Sequence, residues 1–394
     1  GEGWRVLAGG KPFRILGVGV GLKKGLAGED FLQQAAALGA TAVRTWGVDQ
    51  GTKEYLDRAN ALGLMVAAGI WLDWVTPGAG VSYIGDTPTK RKLRSQALAY
   101  VQRFKDHPAI LCWGLGNEVF AFSKDNEPER KAFALFLNEL AREIKRLDPD
   151  HPVFYTSAAL TGLPYIIRYA PAIDIFGMNI YGGVATAVYN AANMEVDGRK
   201  LGRPVLVTEL GADGPWDSGK DGNRMPVEPP DHVKAIQYRM RVKVVLRGPA
   251  LGVFAFHLGD TSQESMTWWN INFGTFRLAP YRAIEGLYKG QKSAGGPVIT
   301  AFEADRYTGK AAGWIRLRAA VAGAGKTTIT YRCSTITHNV MLHYVNRWVP
   351  VRVRGTGNTV MLQLPREPGT YRVYAVADDG RRDAAVASFT VKVE

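Results

Sequence analysis

The sequence predicts a (β/α)8 barrel over residues 1–292 followed by an all-β, immunoglobulin-like sandwich over residues 297–394, and three observations carry that expectation. Strand-like apolar runs alternate with longer helix-like stretches up to about residue 290, the pattern of successive βα units. Beyond that point, short runs of alternating hydrophobicity recur at regular spacing, as in an antiparallel sandwich. The 394 residues also exceed the roughly 250 of one ordinary barrel, which leaves room for one smaller domain.

Eight barrel strands are expected: Phe13 to Gly19, Thr41 to Trp46, Leu64 to Ile70, Ile110 to Asn117, Val153 to Ser157, Ile173 to Asn179, Val205 to Glu209 and Gly252 to His257. Helical periodicity is clearest over Asp30 to Leu38, Lys53 to Leu62, Leu93 to Phe104, Arg130 to Leu147 and Val233 to Leu246. Gly39 and Gly63 follow apolar helical runs, where a C-terminal glycine is favoured. The small-residue stretch Gly290 to Pro297 reads as a domain seam. After it, the expected strands are Ile315 to Arg318, Thr327 to Tyr331, Val340 to Tyr344, Val349 to Val353, Val360 to Leu364, Tyr371 to Val376 and Ser388 to Val393. No internal repeat is visible.

Composition narrows the function classes. Hydrophobic residues make up 46% and charged ones 22%, the balance of a globular protein, and no apolar run reaches the roughly 20 residues needed to cross a bilayer. The net charge of +13 bears on encounter and solubility rather than on chemistry. Its basic residues are scattered, with Lys90-Arg91-Lys92 and Arg381-Arg382 the densest spots, so nucleic acid is not expected as a partner. The two cysteines, Cys112 and Cys333, fall in different expected domains and suggest no disulfide framework. The chain opens at Gly1 without Met, which leaves room for a removed leader and points to an extracellular or periplasmic location. Oligomeric state is not legible.

Two runs, Trp113 to Glu118 and Pro204 to Leu210, are buried-type strands whose ends carry carboxylates, Glu118 and Glu209. Glycosidic bond hydrolysis uses one carboxylic acid to protonate the leaving oxygen and a second carboxylate across the ring. A barrel would unite these distant residues, because its site collects side chains from the C-terminal ends of several strands. Asn117 adds a second polar group at the same strand end.

Here the residues resemble the retaining β-glycosidases of glycoside hydrolase clan A. His107-Pro108-Ala109-Ile110 leading into Trp113 to Glu118, then Ile144 to Pro149 and Pro152, looks like the fourth strand and helix of family 2 barrels. The Gly116-Asn117-Glu118-Val119 run, Ile175 to Tyr181 and Pro204 to Gly211 also look like fungal β-1,3-glucanosyltransferases and bacterial β-1,3-glucanases. The resemblance covers roughly residues 10 to 290. It implies Glu118 as general acid/base and Glu209 as nucleophile, with Asn117 binding the sugar 2-hydroxyl, Arg44 supporting the nucleophile and Tyr181 hydrogen-bonding it. A retaining mechanism independently needs one carboxyl kept protonated and one held ionised, and the charge of Arg44 suits the latter. The alternatives are that Arg44 ties strand two to a neighbour and that Tyr181 is a solvent-facing loop aromatic.

Aromatic residues follow the strand ends: Trp46, Trp71, Trp74, Trp216, Trp268 and Trp269. Such rings pack on sugar C–H faces or, equally, in a core, and a long groove is expected if they do the former. Clan A members place a Trp at the end of strand eight, whereas this chain has Phe254-Ala255-Phe256-His257. Trp268 or Trp269 would then replace that platform, or His257 would touch the sugar; His257 reads equally as a satisfied barrel histidine. Asp73, Asp260 and Glu264 are further acidic residues near strand ends.

Two other runs mimic nucleotide signatures. Ala320 to Thr327 fits a loose phosphate-binding loop, but the following Ile329-Thr330-Tyr331 reads as a strand and not the required helix, which favours a hairpin turn. Gly17-Val18-Gly19-Val20-Gly21 lacks the third glycine of a dinucleotide fingerprint. No metal-ligand spacing is present and no cofactor is expected. The reading is therefore a retaining glycoside hydrolase on a β-linked glucan, β-1,3 first. The alternatives are a transglycosylase using the same glutamates and a non-catalytic carbohydrate-binding protein.

Overall fold

The computed structural model describes residues 3–22, 24–25, 27–75, 81–123, 126–323, 325–336 and 346–394. Eight parallel strands close into a barrel: β1 (Ile15–Gly19), β2 (Ala42–Arg44), β3 (Met65–Ile70), β4 (Ile110–Asn117), β5 (Val153–Ala158), β6 (Ile175–Ile180), β7 (Val205–Leu210) and β8 (Gly252–Ala255). They lie in sequence order around the ring, with β8 paired to β1. All eight expected strands are present, most shortened or shifted by one or two residues.

Helices α1 (Phe31–Leu38), α2 (Thr52–Ala61), α3 (Pro88–Phe104), α4 (Val119–Phe122), α5 (Glu127–Leu147), α6 (Leu163–Tyr169) and α7 (Val184–Asn193) lie between the strands up to β7. Local chemistry sets their ends. Asp30 caps α1 by accepting from the Gln33 amide, and Gly39 ends it in the left-handed conformation that favours glycine. Thr87 caps α3 just before a proline at its first turn. α4 and α6 escape the periodicity reading because they are too short to show a clear stripe.

The barrel interior changes character along its axis. Towards the N-terminal ends, Ile15, Ala42, Ala67, Leu111, Cys112, Phe154, Ile175, Leu206 and Phe254 form one apolar cluster to which every strand contributes. Glycines make the space: a Cβ on Gly17 would collide with the Phe254 ring, and one on Gly114 with the Phe154 ring. Gly17 and Gly19 of the Gly17 to Gly21 run thus serve packing, against Phe254 and Trp46. Cys112 is buried and free, and burial pushes its thiol up to about 12, as expected of a packing residue. At the C-terminal ends the lining turns polar, with Arg44, Asn117, Thr156, Asn179, Thr208 and Glu209 all buried.

Strands β9 (Val298–Ala304), β10 (Thr308–Gly309), β11 (Trp314–Ala322), β12 (Thr328–Thr335), β13 (Trp348–Val349), β14 (Val353–Arg354), β15 (Thr359–Gln363), β16 (Gly369–Asp378) and β17 (Ala384–Val393) form two sheets. Their orders are β9-β11-β15-β14 and β10-β17-β16-β12-β13. Both sheets feed one core that includes Ile315, Leu317, Leu362, Cys333, Val373 and Val391, so the arrangement is a sandwich. Pairing is antiparallel except for β10 with β17. The expected strand Val340 to Tyr344 lies outside the described residues. The connection after β11 is not a hairpin: β11 and β12 belong to different sheets, so the loop crosses the sandwich. The reason is that strand-turn-strand spacing does not reveal which sheet each strand joins.

The chain divides into two compact units, Gly1–Lys24 with Asp30–Leu210 and Arg241–Ala255, and Gly25–Glu29 with Gly211–Met240 and Phe256–Glu394. Helix α8 (Asp231–Arg247) contributes to both, and α9 (Ala279–Tyr288) lies in the second. Compactness therefore groups the segments after β7 and β8 with the sandwich strands, unlike a single cut at 292–297. Buried polar contacts explain the grouping. Arg277 pairs with Asp383 at 2.7 Å, Glu228 accepts from the Ser388 hydroxyl at 3.0 Å, and Asp231 accepts from the Val386 amide at 2.7 Å.

Candidate active site

In the barrel unit, the ends of β2, β4, β6 and β7 bring one polar network together. Arg44 Nη1 donates to Glu209 Oε1 at 2.8 Å and to the Thr208 carbonyl at 2.9 Å, while Nη2 donates to Asn117 Oδ1 at 2.7 Å. Glu209 also accepts from Trp46 Nε1 at 2.7 Å and from the Tyr181 hydroxyl at 2.6 Å. Three donors, one of them cationic, thus converge on a buried carboxylate and fix its position. Arg44 does both things weighed for it: it ties β2 to β4 and β7 and it pairs with Glu209. Trp46 reaches Glu209 because Gly19 on β1 leaves room for its ring; a Cβ there would lie 2.7 Å from the indole.

Glu118 sits differently. It follows β4 with a left-handed backbone, φ 57°, directly before α4, and its amide donates to the Thr156 carbonyl. Non-glycine residues seldom adopt this conformation, and it turns the chain sharply from the strand into the loop. Its Oε1 accepts from Asn179 Nδ2 at 2.8 Å. Burial and the nearby charge of Glu209 push its carboxyl up to about 7, against the opposing pull of Asn179 and Arg44. The site therefore holds one carboxyl that keeps its proton near neutrality and one clasped by donors.

Asn179 is the residue that sequence reading missed, although it lies inside the quoted Ile175 to Tyr181 run. It donates to Glu118 and to Asn117 Oδ1, and accepts from the Thr208 hydroxyl at 3.0 Å. Its only signal was a polar residue at a strand end. With Asn117 Oδ1 occupied by Arg44 and Asn179, the Asn117 amide nitrogen is the group left to donate elsewhere.

The remaining expected residues divide. Trp71 follows β3 in the barrel unit, 37% exposed, and meets Trp74 edge-on at 4.8 Å. Trp216, His257, Trp268 and Trp269 belong to the second unit. There Trp216 is exposed, its ring 6.0 Å from that of Trp269, which lies 6.3 Å from Trp268. Trp268 and Trp269 are buried, and the Trp268 indole donates to the Asp213 carbonyl at 3.0 Å. The expectation of a sugar-facing ring is thus not met by these two, because their surface is taken up by packing. His257 is also buried; burial pulls its imidazole down to about 4, against a hydrogen bond with Asn270, so it is neutral at pH 7. In the sandwich, Trp348 packs edge-on to Tyr374 at 5.1 Å. Among the described residues no cluster could hold a metal ion, and no helix is long and apolar enough to cross a membrane.

Comparison with known proteins agrees with this geometry. Residues 51–222 match the family described as glycosyl hydrolases family 2, TIM barrel domain. The chain is 29% identical over 121 residues to a β-glucuronidase of Paenibacillus borealis, a stretch covering 29% of this chain and 19% of that protein. Among solved structures it is similar to a family 2 β-galacturonidase of Eisenbergiella tayi bound to galacturonate, with TM-score 0.56 and 20% identity over 74% of this chain and 54% of that one. It is also similar to β-glucuronidase 3 of Bacteroides uniformis, with TM-score 0.52 and 14% identity over 98% and 50%. The chain spans about half the length of these solved relatives. The barrel is thus similar to the TIM barrel domain of family 2 glycosyl hydrolases.

Proposed function

We propose that the barrel is a retaining β-glycosidase in which Glu118 is the general acid/base and Glu209 the nucleophile. The observation that carries this reading is the contrast between the two carboxyls, one raised to about 7 and the other held by Arg44, Trp46 and Tyr181. In the first step Glu209 attacks the anomeric carbon while Glu118 protonates the departing oxygen, and the glycosidic C–O bond breaks. In the second, Glu118 takes a proton from water as that water attacks the same carbon and frees Glu209. Asn117 donates to the sugar 2-hydroxyl, and Arg44 and Tyr181 hold the nucleophile in place.

A β-linked uronide is the first substrate to test. The matched relatives carry uronidase names. The β-1,3-glucan expected from the strand-end resemblance finds no support in those relatives. The sandwich is read as an immunoglobulin-like module that either binds glycan or serves packing.

The test is a panel of aryl β-glycosides, namely glucuronide, galacturonide, glucoside and galactoside, beside β-1,3-glucan, with product analysis at high acceptor concentration. Turnover of a uronide, lost in Glu209→Ala, is expected. A sugar that binds but is never turned over would replace this reading with a carbohydrate-binding protein. Transfer to acceptor outpacing hydrolysis would make it a transglycosylase.

A further inference from the structure

The aromatic residues of the barrel unit are not spread evenly around the two carboxyls. Trp46 gives its indole N–H to Glu209. Trp74 Nε1 donates at 2.6 Å to the carbonyl of Asn117, the residue bonded to Glu118. Phe122, at the end of the short helix that Glu118 opens, stacks on Trp74 with ring centroids 4.2 Å apart and planes at 29°. Trp71 then stands edge-on to Trp74 with more than a third of its surface exposed.

This cluster is rigidly seated beside the acid. Leu72, between the two tryptophans, packs so closely on Gly116 that a Cβ there would lie 3.2 Å from Leu72 Cβ, and Gly116 has φ 73°. The segment after β3 is thus pressed against the end of β4. Asp73, in the same segment, has no hydrogen bond to its carboxylate from the described residues; only its carbonyl is used, by Tyr83. Trp113 in this unit is buried, whereas Trp71 keeps an exposed face three residues before the indole that holds the Asn117 carbonyl.

On the proposed mechanism the acid faces the leaving oxygen, so whatever lies beyond that oxygen sits on the Glu118 side and not on the Glu209 side. We infer that Trp71, backed by Trp74 and Phe122, is the platform of a leaving-group subsite for a second sugar ring, with Asp73 accepting from one of its hydroxyls. A pyranose presents an apolar C–H face to the indole and hydroxyls to the carboxylate. A purely aromatic leaving group would use only the first. This inference rests on the assignment of Glu118 as acid, and it predicts that the enzyme prefers a sugar over a small group at that position.

The experiment compares β-linked disaccharides of glucuronic acid, glucose and galactose with the matching β-glycosyl fluorides, whose leaving group has no ring. For the glycone that is turned over, the ratio of kcat/KM on disaccharide to kcat/KM on fluoride should fall by about two- to tenfold in Trp71→Ala, less in Trp71→Phe, and severalfold in Asp73→Asn. Tyr189→Ala, which truncates an exposed aromatic on α7, should leave that ratio at the wild-type value. Transfer to added glucose should weaken in parallel with disaccharide cleavage. An unchanged ratio in Trp71→Ala would overturn the subsite, as would an effect confined to aryl glycosides. Absence of fluoride turnover by the wild-type protein would instead sink the glycosidase reading and the subsite with it. Melting temperatures within a degree or two of wild type would separate a lost contact from a lost fold.

Discussion

Glu118 and Glu209 occupy matching places at the ends of β4 and β7, yet their surroundings differ in almost every respect. Glu209 receives Arg44 and Trp46 from the end of β2 and Tyr181 from the end of β6. Glu118 receives Asn179 and stands where burial and a neighbouring negative charge raise its carboxyl to about 7. The difference teaches that position on the barrel selects which residues can act, whereas the donor set around each selects how it acts.

The comparison fails at its root if the two residues are interchangeable, so the largest expected effects come from removing each. Glu209→Ala should abolish turnover, and azide should restore it with an α-configured product, because the anion enters the vacated nucleophile site. Glu118→Ala should lose about 10²- to 10⁴-fold on poor leaving groups, spare activated ones, and give a β-configured azide product. The opposite stereochemistry would exchange the two roles. A crystal structure should place the two carboxyl groups about 5 to 5.5 Å apart, and a gap of roughly 6.5 to 9.5 Å would signify inversion.

Arg44→Met comes next. It leaves Glu209 buried without its cation, which costs about 3–5 kcal/mol of stability, read as a lower urea midpoint at unchanged slope, together with a large fall in kcat. An unchanged midpoint would mean that the pair is solvated. Trp46→Phe keeps the ring but removes one donor to Glu209, and a hydrogen bond to a charged group contributes about 1.5–3 kcal/mol. Hence kcat/KM should fall between about tenfold and about a hundredfold; an equal fall for Glu118-independent fluorides is expected, since the contact is with the nucleophile.

The smallest effect concerns protons. Glu118 must be protonated in the first step, so kcat/KM on unactivated substrates should decline as pH rises through about 7. Asn179 stabilises the ionised form of Glu118, and Asn179→Ala should therefore move this limb to higher pH. A shift to lower pH would contradict the hydrogen bond. The same raised carboxyl contributes stability that is fully present below its unfolded value near 4.5 and is lost as pH rises through about 7. Denaturation midpoints across that window test the sign.

Much of this architecture was legible because its signals are local. The β4 expectation, Ile110 to Asn117, coincides with the observed strand, since eight consecutive buried residues leave few other readings. The α5 and α3 expectations found the right helices but began late, because their first turns carry Pro128 and Pro88 rather than apolar periodicity. Glu118 and Glu209 could be singled out because a carboxylate ending a buried strand is unusual wherever the strand lies. Asn179 was passed over because an amide at a strand end has no distinctive local chemistry.

What only the tertiary structure decided is which groups meet. Arg44 and Glu209 are 165 positions apart, and Asn179 and Glu118 are 61 apart, so no window of sequence contains both members of either pair. Their encounter follows from barrel closure, which lays strand ends side by side in an order that hydrophobic periodicity does not encode. The same holds for Trp268, which looks like a groove residue in sequence and is buried in the fold, and for the loop after β11, whose flanking strands join different sheets. Sequence by itself determined the strands, the barrel class and the two candidate carboxylates, because backbone preference and burial are properties of short segments. The unequal surroundings that assign those carboxylates their roles arise from contacts across the ring, and these exist only once the barrel has closed.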